Sequence, residues 1–192
     1  MTSLVRAAFV VAPIVFAAAA SMQFHIKGGD HGATKGGITS LQIGWHVDRT
    51  VRFKVVFHSN VPYATRTPSN QLDWNKLMGF TTNRIHHNSI RLGWRWRPDL
   101  KKVEVGHYGY IQGARTMLPL TTVALDAPLD VEIKIWNDGQ AVRAGTAAHT
   151  EARSLGLSGW IPTMTWLLKT AYFGGDETAP HDLDISVTEI RQ

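Results

Sequence analysis

The chain has 192 residues, 44% of them apolar and 18% charged, with a formal charge of +5 and no cysteine. That is enough for one sizeable core and rather little for two, and the low hydrophobicity and high charge of a disordered chain are absent. Disulfides, thiolate metal sites and cysteine nucleophiles are excluded, and scattered basic residues with no nucleic-acid-binding signature argue against DNA or RNA as partner.

Residues 1–6 carry one positive charge, and residues 7–20 read AAFVVAPIVFAAAA, with Ala18 and Ala20 placed for cleavage before Ser21. This is the layout of a secretory signal peptide. The apolar stretch is interrupted by Pro13 and is too short for a comfortable membrane span. The expectation is a secreted or periplasmic protein, with no stable membrane span after cleavage and one domain over residues 22–192.

A glycine-rich connection, residues 28–37, leads into short runs at strand spacing. Residues 38–47 are one. Residues 50–58 are the clearest, with Val51, Phe53, Val55 and Phe57 alternating against Arg52, Lys54, Val56 and His58. Residues 60–88 are irregular, with a short strand expected near 78–81. Two neighbouring strands follow over 89–97 and 102–112, joined by a turn at Pro98-Asp99. Strands are then expected at 116–125, 130–136, 140–144, 166–173 and 183–190, with Asn137-Asp138-Gly139 as a hairpin signal. Residues 147–157 give the one plausible helix. Many short strands without long amphipathic helices predict an all-β antiparallel sandwich of jelly-roll type with at most one short helix.

Successive side chains of a strand point to opposite faces. Ile90, Leu92, Trp94 and Trp96 therefore share one face, and Arg91, Arg95 and Arg97 the other. In the next strand Val103, Val105, His107 and Ile111 oppose Glu104, Tyr108, Tyr110 and Gln112. If the strands at 50–58 and 130–136 join this sheet, one face collects Arg52, Lys54, His58, Arg91, Arg95, Arg97, Glu104, Tyr108, Tyr110, Glu132, Lys134 and Trp136. Aromatic rings stack on pyranose faces, and Arg pairs bidentately with a carboxylate. The expected ligand is a polysaccharide or oligosaccharide, held by Lys54, His58, Arg91, Arg95, Arg97, Glu104, Tyr108, Tyr110, Lys134 and Trp136. The competing reading is a solvated face of cross-strand ion pairs.

His107 falls on the apolar register and reads as a core histidine. His86-His87 lacks a metal-chelating pattern, and no metal or cofactor is expected. Asp73-Trp74-Asn75-Lys76-Leu77 is either a loop anchored by Trp74 in the core or one overhanging the binding face. No Gly-x-Ser-x-Gly elbow, P-loop or dinucleotide fingerprint occurs. If the protein is an enzyme, β-elimination suits the residue types: Arg neutralises a uronate carboxylate, while Tyr or His moves the proton. The candidates are Tyr108, Tyr110, His58 and Arg91. An assembly protein of an envelope or appendage is a third reading.

The stretches SIRLGWRW, VEVGHYGYIQGAR, LDVEIKIWNDG and LLKTAYFGGDETAPHD resemble the concanavalin A-like jelly rolls of bacterial secreted carbohydrate-active proteins. Alginate-lyase-like and glucuronan-lyase-like enzymes share that architecture. Their Tyr-Phe-Lys-Ala-Gly-x-Tyr-x-Gln signature is echoed by Leu168-Lys169-Thr170-Ala171-Tyr172-Phe173-Gly174-Gly175, without its terminal Gln. The resemblance implies a jelly roll and a uronate polymer as ligand or substrate.

Overall fold

The computed structural model describes residues 21–33, 37–44, 48–82, 84–152 and 163–190. The expected signal peptide lies outside them. Twelve strands form among them: β1 (Ser21–Ile26), β2 (Gly37–Gly44), β3 (Asp48–Phe57), β4 (Asn75–Thr81), β5 (Ser89–Arg97), β6 (Lys102–Ile111), β7 (Ala114–Val123), β8 (Leu129–Trp136), β9 (Gly139–Ala144), β10 (Ala147–Ala152), β11 (Thr163–Lys169) and β12 (Leu183–Glu189). One sheet runs β1-β12-β3-β8-β9-β10 and the other β2-β11-β4-β5-β6-β7. Every pairing is antiparallel. The result is the predicted all-β sandwich.

Alternation builds the core. Val51, Phe53, Val55 and Phe57 of β3 and Leu129, Val131, Ile133 and Ile135 of β8 point inward from one sheet. Ile90, Leu92, Trp94, Trp96, Val103 and Val105 point inward from the other. Phe57 meets Trp94 across the interior with ring centroids 5.5 Å apart. Each fully buried large side chain contributes about 1.5–3 kcal/mol, so the inward register of β5 and β6 is strongly specified.

Two expectations are corrected. Residues 147–152 form strand β10, not the start of a helix, and residues 153–157 lie outside the described residues. Gly145, at φ 58°, reverses the chain so that Ala147–Ala152 pairs residue for residue with β9, and tertiary pairing overrides the helix propensity of Ala and Glu. The strand near 78–81 begins earlier, at Asn75. The β1 strand was not expected at all.

Two connections matter for the polar face. Gln112 and Gly113 both have positive φ, as a two-residue type I′ hairpin between β6 and β7 requires. Asn88 Oδ1 accepts the Gln112 N–H, and His87 O accepts the Gly113 N–H, which ties the 84–88 turn to that hairpin. The Glu177 carboxylate accepts the N–H groups of Arg66 and Thr67, each at 2.8 Å, and the Asn70 side chain at 2.9 Å. These bonds hold its pKa down at about 2, against an ordinary value of 4.5. A depressed folded-state pKa contributes stability above 4.5 that is lost as pH falls towards 2. Glu177→Gln should therefore be less stable than the parent at pH 7, with the gap closing over that window in denaturant melts.

Candidate functional site

The outer face of β4, β5 and β6 carries the polar residues. Arg91 pairs with Tyr108, Gly93 with Gly106, and Arg95 with Glu104. Trp94 and Trp96 are buried in the core, so Arg91, Arg95, Arg97, Glu104, Tyr108 and Tyr110 share the outer face as expected.

The two glycines facing each other form a bare strip, and Trp74 lies across it. A Cβ on Gly93 would stand 2.9 Å from the Trp74 indole, and one on Gly106 2.7 Å. Trp74 thus belongs to the outer face, although it is only 8% exposed. It overhangs the face; it is not an anchor between the sheets. Its position is fixed from below by Asn75, whose amide donates to Tyr63 Oη at 3.0 Å and accepts the Gly174 N–H at 2.6 Å.

Trp74 divides the arginines. On one side Arg95 lies over the indole, 4.3 Å from its centroid, and donates to Glu104 and to Leu72 O. Arg97 shares Glu104 and also pairs with Asp99. These groups are mutually satisfied and hold the 71–74 loop.

On the other side Arg91 is 7% exposed and no carboxylate pairs with it among the described residues. Its guanidinium lies over the Tyr108 ring, 5.6 Å from the centroid, and its Nε is buried without a hydrogen-bond partner. Burial lowers its pKa, but an arginine keeps its charge. Lys76 sits beside it, 5.0 Å from the Tyr108 centroid and 5.2 Å from that of Tyr172. Burial, then repulsion from Arg91, pushes Lys76 down to about 8. Burial and a hydrogen bond with Tyr110 push Tyr108 up to about 12. His86 packs edge-on against Tyr110, and His31 stacks on Tyr172. A cleft of about 280 Å³ opens beside Arg91, lined by Ile85, Leu168, Thr170 and Tyr172 among others. That is near the lower end of ligand-pocket volumes, ~300–1,000 Å³. Chemically this is a cationic patch: Arg91 has no carboxylate partner among the described residues, Lys76 has Asp73 as its nearby acid, and aromatic rings and hydroxyls frame both.

The single combined face is corrected. Lys54, His58, Lys134 and Trp136, with Arg52 and Glu132, lie on or next to β3 and β8, in the other sheet. Both sheets turn their apolar sides inward, so these residues are on the opposite outer surface from Arg91. There they are engaged: Arg52 pairs with Glu132 and Lys54 with Asp130, each directly across the β3–β8 register. Trp136 packs on Gly139, where an added Cβ would stand 2.7 Å from its ring. His58 bridges Asp126 through Nδ1 and Ser186 through Nε2. That order is the order of a hydrolytic triad. Ser186, however, pairs with Gln23 on one side and Val56 on the other, so the ladders use the local backbone N–H groups that an oxyanion hole needs. Gln23 and His25 lie in that sheet too, with His25 bonded to Asp184.

Lys76, Tyr172 and His31 were not expected at the site. The Tyr172 bridge to both Lys76 and Gly32 brings them there from distant parts of the chain. The available signals were the aromatic-polar run at 73–77 and the Tyr-Phe-Gly-Gly corner.

No protein-family model matches the sequence, and no curated protein matches it. Solved structures do match in three dimensions. The alginate lyase from Klebsiella pneumoniae superposes with a TM-score of 0.55 at 14% identity, over 75% of this chain and 58% of that one. Alginate lyase vAL-1 from Chlorella virus gives 0.51 at 13%, over 87% and 81%. Alginate lyase A1-II′, a member of polysaccharide lyase family 7, gives 0.53 at 10%, over 88% and 76%. This chain thus spans less than two thirds of the Klebsiella enzyme's length. At such identities the likeness is one of fold: the chain has the jelly-roll architecture that these alginate lyases share.

Proposed function

We propose that this chain is an exported protein that binds an anionic polysaccharide, of uronate type, on the outer face of β4, β5 and β6. One observation carries the reading: Arg91 is a buried cation with no carboxylate partner among the described residues, next to Lys76 and walled by Tyr108 and Tyr172. Burying an unpaired charge is costly, and a ligand carboxylate removes that cost through charge-assisted hydrogen bonds of about 1.5–3 kcal/mol each. The rings supply stacking surfaces for sugar rings. The fold likeness to alginate lyases supports a uronate, and the apolar segment at 7–20 supports export.

A second reading, β-elimination on the same polymer, is favoured by the chain of rings beside Arg91. Tyr108, Tyr110 and His86 stand in contact there, and a phenol or imidazole can shuttle the proton while the cations stabilise the carboxylate.

The test is a panel of alginate, polyglucuronate, pectate and a neutral glucan, with binding and ultraviolet absorbance followed together. Uronate polymers should bind, weaken with salt, and bind less tightly as pH rises through about 8, where Lys76 loses its proton. The stability sign is opposite. Between about 8 and the ordinary 10.5 the unfolded chain binds more protons at this lysine, so its contribution to stability rises with pH. Rising absorbance from unsaturated chain ends selects the lyase. Equal binding of the neutral glucan, or no binding at all, rejects the reading.

A further inference from the structure

A second cluster lies on the inward side of β6, where β10 and β7, the edge strands of the two sheets, come together. His107 is fully buried. Its ring packs edge-to-face with that of His149 on β10, centroids 4.7 Å apart. His107 Nε2 stands 4.0 Å from Glu151 Oε2. One ligand atom from each of the three lies within 4.8 Å of the other two. Around them, His107 Nδ1 and His149 Nε2 are both buried without a hydrogen-bond partner. Buried polar atoms are nearly always satisfied, so the orphaned His149 Nε2 in this cluster needs a cause; His107 turns Nε2, not Nδ1, toward Glu151.

We propose that His107, His149 and Glu151 bind one divalent transition-metal ion of the zinc type. Two imidazoles and a carboxylate form a nitrogen–oxygen donor set that suits tetrahedral Zn²⁺. Tetrahedral ligands about 2.0–2.2 Å from the ion stand roughly 3.3–3.6 Å from one another, so the sides of the triangle must tighten by roughly 0.5–1.5 Å. Side-chain rotation of His149 and Glu151, on an edge strand, supplies that. Thr116 Oγ1 already donates to the other carboxylate oxygen, Oε1, at 2.9 Å, which orients Glu151 as outer-shell partners orient metal ligands. The Gln140 amide lies 3.3 Å from both His107 Nε2 and Glu151 Oε2, and turning it over presents its oxygen as a fourth ligand. The ion clips β10 of one sheet to β6 of the other and closes that side of the sandwich. It is separate from the Arg91 face and does not depend on the ligand proposed there.

The full chain, dialysed against chelator and then against buffer, is titrated with zinc chloride alone. The expected result is one Zn²⁺ retained per chain, with Tm raised by roughly 5–10 °C when free zinc is 100 times its Kd. His149→Asn and Glu151→Gln should each weaken retention at least ~100-fold, while near-ultraviolet circular dichroism stays that of the parent. Cobalt tests the parent chain without any variant: intense visible bands of four-coordinate Co²⁺ are expected. No retained zinc and no shift in Tm overturns the proposal. So do the weak bands of octahedral Co²⁺. One zinc still held by the His149→Asn/Glu151→Gln double variant also overturns it, and places the ion at surface histidines such as His86-His87.

Discussion

Arg91→Met should weaken polysaccharide binding and yet make the protein more stable. Arg91 has no carboxylate partner among the described residues, so its removal orphans no ion pair. Methionine keeps the unbranched stem under the Tyr108 ring and eliminates a buried charge. The cation–π attraction between Arg91 and Tyr108 disappears in the variant, which offsets only part of that gain. A net gain of about 1 kcal/mol corresponds to a Tm roughly 2–4 °C higher for a chain of this size. Affinity for a uronate polymer should fall roughly 10–100-fold, the equivalent of the missing charge-assisted bonds. Opposite movement of stability and binding is the mark of a residue kept for function. Thermal melts and isothermal titration on the same preparation measure both. A fall in Tm, with binding unchanged, would mean that Arg91 is structural.

Trp74→Ala should be the most destabilising change on the polar face. The indole fills the space above Gly93 and Gly106 and carries the Arg95 guanidinium on its other side. The two residues beneath it are glycines, so no side chain at those positions of β5 and β6 fills the space. The cost should lie near ~3–5 kcal/mol, the range for aromatic-to-alanine changes at buried sites. That is a drop in Tm of roughly 6–20 °C. Filling the strip from below fails for the opposite reason: a Cβ on Gly106 would stand 2.1 Å from the Leu118 carbonyl oxygen. Uronate binding should weaken as well, since Asn75 and Lys76 follow Trp74 directly into β4. Differential scanning calorimetry gives the first effect, and titration of the surviving folded protein the second.

How far the site was legible follows from what alternation encodes. A period of two assigns a side chain to a face, and in β5 and β6 it did so correctly, from Arg91 to Tyr110. It does not say which sheet a strand joins. Lys54 and Lys134 alternate as cleanly as Arg91, but β3 and β8 pair with each other in the opposite sheet. Ion-pair complementarity held a usable hint. Arg52, Lys54, Asp130 and Glu132 balance one another, whereas Arg91 and Lys76 exceed the acids near them. The glycines held another. A glycine inside a strand signals close approach of another group, and Gly93 and Gly106 sit in the middle of two otherwise strong strands to admit Trp74. His31 and Tyr172 reach the site only through long-range bridges, which no local pattern reveals. The β10 strand was misread for a related reason: its Ala, His and Glu residues suit a helix in isolation, and only the pairing with β9 decides otherwise.

The most direct test is a crystal structure of the chain with a short uronate oligosaccharide. The predicted result is a sugar carboxylate within hydrogen-bond distance of the Arg91 guanidinium and the Lys76 ammonium, with sugar rings against Tyr108 and Tyr172. An oligosaccharide bound instead on the opposite sheet, among Lys54, His58, Lys134 and Trp136, would contradict the account.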